Sequence, residues 1–232
     1  MPRAGLDAGV VVAAAAELAD EIGFPELTMA RLAERLGVRT PSLYKHVASQ
    51  EDLHRRIAVL ALDEVADAIG AATQGRAGRD ALGAAARAMR DFVVTHPGRY
   101  AATIGLTATG PDDPVTIAAV RGLGPFSAVL RGYDVPPQQT THALRALRSV
   151  FHGFATLQAT GGFQWATDVD ESFEWLVDLI DRGLRATPTD GRVVGGEGLD
   201  PDRRHDPDDG AITVVGGRDV SPTGRLSEES QP

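Results

Sequence analysis

The stretch Thr28-Met-Ala-Arg-Leu-Ala-Glu-Arg-Leu-Gly-Val-Arg-Thr-Pro-Ser-Leu-Tyr-Lys-His-Val47 reads as two short helices joined by a tight turn. Thr28 has the chemistry of an N-cap, because its hydroxyl can accept from a free N–H of the first turn. Met29, Leu32, Ala33 and Leu36 then follow the i, i+3, i+4, i+7 spacing of one helix face. Gly37 suits the left-handed residue that closes a helix. Thr40-Pro41 reads as a second N-cap followed by proline at the first helical position, and this helix is expected to run to about Val47. Leu43 and Val47, four apart, give it a single apolar face. Two such helices around a glycine turn form a helix-turn-helix.

The helical pattern continues on both sides. Val11, Ala15, Leu18 and Ile22 share a face of a preceding helix that Gly23 ends. Ser49, with Asp52 three residues on, starts a helix that Leu53, Ile57, Leu60, Ala61, Val65 and Ile69 carry to about Ala72. The polar segment from Thr73 to Gly78 is a joint. Beyond it, one helix ends at His96-Pro97, a short one covers Tyr100 to Leu106, and Pro111 to Pro114 form a loop. Val115 to Tyr133 is helical, with Gly122 and Gly124 as weak points. A long helix runs from Pro136-Pro137 to Gly161-Gly162, and a last one spans about Val169 to Leu184. The expected fold class is all-α. A three-helix head occupies residues 1–50 with a connecting helix at 50–72, a helical bundle 78–185, and a tail 186–232.

Composition narrows the chemistry. The chain has 232 residues, of which 43% are hydrophobic, enough for a sizeable core. It has no cysteine, which excludes disulfides, thiolate metal sites and a cysteine nucleophile. A cytoplasmic location is expected. No apolar run approaches the ~18 residues of a membrane span. No cofactor or metal is expected: Gly195-Gly196-Glu197-Gly198 lacks the strand, helix and Lys-Ser/Thr of a phosphate loop, and Asp200, Asp202, Asp206, Asp208 and Asp209 lack calcium-loop spacing. No paired carboxylates or nucleophile-base set stands out, and His96, His142 and His152 lie far apart. The chain is therefore not expected to be an enzyme; that reading would need folding to bring His152 to Asp178 or Asp181.

Net charge is −9, but residues 28 to 56 hold Arg31, Arg35, Arg39, Lys45, Arg55 and Arg56 against Glu34, Glu51 and Asp52, a local +3. Lys45 is the only lysine in the chain. A helix-turn-helix lays its second helix in the major groove of DNA. With Leu43 and Val47 turned inward, Arg39, Thr40, Ser42, Lys45 and His46 face outward. Arg39 can pair with guanine, Thr40 and nearby N–H groups can hold a phosphate, and Tyr44 and His46 can donate to phosphates or stack on sugar.

These residues, with Glu51-Asp52-Leu53 and the preceding Gly23-Phe24, resemble the N-terminal signature of the tetracycline-repressor (TetR) family. The resemblance covers about Val10 to Ile57. It implies that Thr28, Thr40, Ser42, Tyr44, Lys45 and His46 fall at DNA-contact positions, which with Arg39 and Pro41 make the expected set. The family often has a phosphate-capping lysine where this chain has Gln50. More loosely, Phe151-His152-Gly153 resembles a subgroup named for a Trp-His-Gly motif, with phenylalanine in place of tryptophan. The resemblance implies a homodimer joined through its last two long helices, a small-molecule effector bound in the body, and repression at a palindromic double-stranded operator.

For that interface the sequence offers two apolar stripes, Leu144, Leu147, Phe151, Phe154 and Ala155 on one helix and Phe173, Leu176, Val177, Ile180 and Leu184 on the next. Trp165 and Trp175 are candidate anchors. For the effector it offers Phe92, Tyr100, Phe126, Phe151, His152 and Trp165 as pocket walls, with His152 read in preference as a hydrogen-bonded core residue. A ligand-binding helical module without DNA affinity is the alternative reading.

The tail from Ala186 has no aromatic residue, eight glycines, five prolines, and ten acids against five arginines, and it is expected to be disordered. Its charge suits competition with DNA for the basic head. Deleting residues 186–232 should tighten DNA binding at low salt and steepen the salt dependence, because the competition is itself screened by salt; an unchanged affinity at low salt, measured by fluorescence anisotropy, would count against that competition.

Overall fold

Five helices begin where a side chain occupies a free backbone N–H. In the computed structural model, which describes residues 6–186, the Asp7 carboxylate accepts from Val10 N and starts α1 (Ala8–Ile22). The Thr28 hydroxyl accepts from Arg31 N and starts α2 (Met29–Arg35). Ser49 accepts from Asp52 N at the head of α4 (Gln50–Thr73), and Asp52 in return accepts from Ala48 N. Asp113 caps α7 (Pro114–Arg131) and Asp168 caps α9 (Val169–Arg185). Each such cap stabilises its helix by about 1 kcal/mol. The remaining helices are α3 (Thr40–Leu43), α5 (Gly78–Thr95), α6 (Pro97–Ala101) and α8 (Pro137–Ala159), and a 3-10 turn covers Phe24–Glu26. The described residues contain no strand, so the all-α expectation holds. No helix among them is long and apolar enough to cross a membrane. The acidic tail lies outside the described residues.

Several element boundaries differ from the sequence reading. α3 stops at Leu43, and tight turns from His46 N and Val47 N back to the Leu43 carbonyl carry the chain on to Val47. Arg39, not Thr40, is the extended N-cap, so Thr40 and Pro41 are the first two helical residues. The short helix expected at Tyr100 to Leu106 instead runs from Pro97 to Ala101. Pro97 needs no N–H partner and has a helix-ready φ, so it both ends α5 and opens α6. α7 passes through Gly122, Gly124 and Pro125 without a break.

Two apolar cores result. The first unites Val11, Ala15 and Leu18 of α1 with Leu32, Leu43, Val47, Leu53 and Ile57. The second unites Ile69, Leu82, Val93, Leu130, Leu147, Phe151, Phe173 and Val177 of the bundle. α4 runs through both. Leu147, Phe151, Ala155, Phe173, Val177 and Leu184 are thus buried within one chain, which corrects their assignment to a dimer stripe: α8 and α9 turn these faces onto α5, through contacts such as those of Arg90 with Phe154 and Phe173.

Head and body meet at α1, α4 and α6. A β-carbon on Gly98 would lie 1.9 Å from the Ala19 carbonyl oxygen and 2.1 Å from its carbon, so only glycine permits this backbone approach. Asp20 beside it accepts from the Arg99 backbone N and Nε, each at 2.8 Å, and lies 3.2 Å from His96 Nδ1. Arg99 continues to Glu64 of α4 at 2.8 Å. Further along, Arg55 of α4 donates to Asp113 at 2.6 Å.

Two outcomes follow from these joints. Gly98→Ala should destabilise the fold by about 1–3 kcal/mol or more, because the clash is with backbone that cannot rotate away; urea unfolding measures it. The backbone N–H groups of Thr109 and Val115, the Thr109 hydroxyl and Arg55 hold the Asp113 carboxyl well below its ordinary 3.8. Its stabilisation is therefore complete above that value and is lost as the pH falls toward the depressed pKa. Asp113→Asn should lower the melting temperature at pH 7 and flatten the acid limb of a stability-versus-pH curve.

Candidate DNA interface and effector cavity

Gly37, at φ 64°, makes the turn between α2 and α3. Its N–H bonds to the Glu34 carbonyl at 3.0 Å, and Val38 N bonds to Ala33 at 3.0 Å. The turn sets α3 against α2, and Leu43 and Val47 enter the first core at 0% and 2% exposure. That burial leaves Arg39, Pro41, Tyr44 and Lys45 exposed, with Thr40, Ser42 and His46 half-buried beside them. Tyr44, 52% exposed, is a surface residue and no part of the core edge. The Thr28 hydroxyl oxygen accepts from Arg31 N at the foot of α2, which leaves its O–H as a donor.

The ion pairs sort the local cations in a way the sequence did not reveal. Arg31 pairs with Glu26, Arg35 with Glu21, Arg55 with Asp113 and Arg56 with Asp52. Arg39 and Lys45 have no carboxylate partner among the described residues. The two free charges of the segment therefore lie at either end of α3, on the outward surface. Gln50 turns its Nε2 toward the Leu27 carbonyl at 3.3 Å, which ties the start of α4 to the loop before α2.

In the body, α4, α5, α6, α7 and α8 surround a cavity of about 100 Å³. Leu62, Val65 and Ile69 form one wall and Val115, Ala119, Gly122, Leu123 and Phe126 the facing one. The small residues Ala119 and Gly122 leave this space between α4 and α7, while Arg121 clamps the same two helices by pairing with Asp63 and Asp67. Met89, Tyr100, Thr103, Leu106, Leu144 and Arg148 complete the lining.

Of the six expected pocket residues, Tyr100 and Phe126 line this cavity. His152 stands behind it, its Nδ1 3.0 Å from the Tyr100 hydroxyl and 3.4 Å from Thr156 Oγ1. Phe151 stacks on Phe126 and Phe92 lies edge-on to Tyr100, both as buried core. Trp165 is 90% exposed and lies in the loop between α8 and α9, so it is no wall of this cavity. His152 bonds neither of the acids considered for it: Asp178 pairs with Arg79, and Asp181 accepts from Tyr133 and Arg185. The aromatic bias of the sequence reading missed Leu62, Val65, Leu144 and Arg148. Their i, i+3 and i+4 spacing on α4 and α8 was the available signal.

Two family profiles match the chain: bacterial regulatory proteins of the tetR family over residues 11–57, and the tetracyclin repressor-like C-terminal domain over residues 82–180. The second span contains Phe151-His152-Gly153. An uncharacterized HTH-type transcriptional regulator of Mycobacterium tuberculosis is 36% identical over 182 residues, 78% of this chain and 83% of that one. Among solved structures, BioQ with its double-stranded DNA operator is similar with a TM-score of 0.60 and 25% identity, over 78% of this chain and 99% of that one. A TetR variant of Acinetobacter baumannii AYE in complex with minocycline gives a TM-score of 0.60 and 27% identity, over 77% and 96%. The chain belongs to the TetR family and is a DNA-binding transcriptional regulator.

Burial holds the Tyr100 hydroxyl protonated, pushing it up to about 12. Burial and then the nearby Arg148 charge push His152 below the ordinary 6.5. His152 should therefore remain neutral through the range where an exposed histidine charges. Because the unfolded chain then binds the extra proton, stability falls as the pH drops below about 6.5. Proton NMR titration of the imidazole should show the low value, and Arg148→Gln should raise it partway.

Proposed function

We propose that the chain is a cytoplasmic homodimeric repressor, released from a palindromic operator by a small molecule bound in the body cavity. The observation that carries this reading is the α3 surface. Its apolar side is sealed into the head, and its outward side bears the two cations unpaired among the described residues, with Ser42 and Tyr44 between them and His46 next to Lys45. Arg39, Thr40, Pro41, Ser42, Tyr44, Lys45 and His46 are the proposed groove contacts, with Thr28 holding a phosphate through the N-terminus of α2. The solved operator complex of BioQ supports the DNA half of the reading, and the minocycline complex supports the small-molecule half.

The dimer is proposed to use the outer faces of α8 and α9. With their inner faces in the monomer core, these helices still expose Leu157 at 51%, Trp175 at 62% and Leu179 at 43%. Trp175 and Leu179 are four apart on α9, so they form one ridge. Two-fold pairing of that ridge is the geometry that presents two heads to two half-sites.

Coupling runs through α6. Tyr100 walls the cavity, and Gly98 and Arg99 of the same short helix hold Ala19 and Asp20 of the head. A ligand that shifts Tyr100 must shift α6, and α6 cannot move without moving α1. Ligand and DNA then favour different head spacings, and each weakens the other by the same factor.

Selection of duplexes from a randomised pool, followed by electrophoretic shift, tests the DNA assignment. The protein should enrich a palindromic site. His46→Ala should weaken binding about tenfold and Tyr44→Phe severalfold, as expected for a lost base or phosphate contact, with the dimer intact by sedimentation. Normal affinity in both variants would refute these contacts. Lys45→Gln should also reduce the slope of log affinity against log salt by about one per half-site, whereas Arg35→Gln, already neutralised by Glu21, should leave it nearly unchanged.

A further inference from the structure

The cavity is apolar on every side except one. Leucine, isoleucine, valine, methionine and phenylalanine supply most of its lining, and the only charged residue among the lining is Arg148 of α8. Arg148 is exposed and has no carboxylate partner among the described residues. Most other arginines of the body behave differently: Arg76, Arg79, Arg87, Arg90, Arg99, Arg121 and Arg185 all pair with acids. An unpaired guanidinium at the edge of an apolar slot leaves a cation beside the space a ligand would fill. The inward polar groups offer no competing anion. The Tyr100 hydroxyl is engaged by His152, and Thr103 Oγ1 donates to the Tyr100 carbonyl.

We infer that the effector is a small amphiphilic anion, a monocarboxylate whose apolar body fills the slot between α4 and α7 and whose carboxylate is held by Arg148. This rests on the proposed effector role of the cavity and specifies its chemistry. Size sets a limit on the apolar part. The accessible space, about 100 Å³ and open to solvent on one side, is smaller than the ~150 Å³ apolar cavity that admits a benzene. The body of the ligand is therefore slimmer than an aromatic ring, a short alkyl chain. A guanidinium fork matches a carboxylate in two parallel hydrogen bonds, so the head group is selected by geometry as well as by charge. The same contact reports to the head, because Arg148 and Tyr100 line one cavity and Tyr100 belongs to α6.

Isothermal titration of the full chain with hexanoate, 1-hexanol and hexylamine tests this. Hexanoate should bind about tenfold or more tightly than hexanol, and hexylamine most weakly. Arg148→Gln should reduce hexanoate to the level of hexanol while leaving hexanol unchanged. Gly122→Leu, which fills the slot, should abolish binding of both. Equal affinity for hexanoate and hexanol, a hexanoate preference that survives Arg148→Gln, or hexanoate binding that survives Gly122→Leu would each overturn the inference. Electrophoretic shift of the selected duplex, run without ligand, keeps the two readings apart. Duplex binding without any hexanoate binding overturns this inference alone, and absence of duplex binding overturns the proposed repressor role while the titration still decides the ligand chemistry.

Discussion

Asp20 lies near the C-terminus of α1, where three donor groups of the α5–α6 junction converge on one carboxylate. Its side chain is nearly buried, and its partner Arg99 is buried as far. A partly buried ion pair with several hydrogen bonds is costly to break from one side, because the remaining charge is left without compensation. Gly98 brings the two backbones into contact beside it. Together these fix the angle between the head and the body. The two cores could otherwise rotate about α4, the one long helix they share. Everything that requires the body to inform the head depends on this joint.

The electrostatic design is economical in a chain with net charge −9. Acidic residues neutralise most arginines in place, in the head as well as between α5 and α9, where Arg79 and Arg87 share Glu174. Three of the cations without a carboxylate partner among the described residues stand at two places: Arg39 and Lys45 at the helix-turn-helix and Arg148 at the cavity. With a net negative charge, bulk attraction to polyanions is weak, so selectivity falls on the fit of α3.

Much of the head was legible because its signals are local. Thr28 and Ser49 cap within three residues, Gly37 turns within its own φ, and Leu43 and Val47 are four apart on one face. The proline steps were less legible: Pro97 can stop a helix or start one, and the register of α6 depends on its packing against α1. The apolar stripes of α8 and α9 were visible, but periodicity does not say which partner a stripe meets, and α5 took the faces assigned to a second chain. The cavity was hardest. Phe151 and Phe92 looked like pocket walls for the same reason they make good core: they are large and apolar. The slot exists where residues are small, at Ala119 and Gly122, and absence of volume leaves no mark in a hydrophobic pattern.

Lys45 has one more consequence. As the only lysine in the chain, it is the single side-chain amine the protein offers to acylating or reductive-alkylating chemistry. Because it stands exposed on the outward surface of the helix-turn-helix, without a carboxylate partner among the described residues, acylation there would remove a positive charge from that surface, whereas reductive alkylation would keep the charge and add bulk. The same uniqueness makes the residue a built-in reporter, since the protection of one nitrogen measures how much of the population has this face of the helix-turn-helix covered.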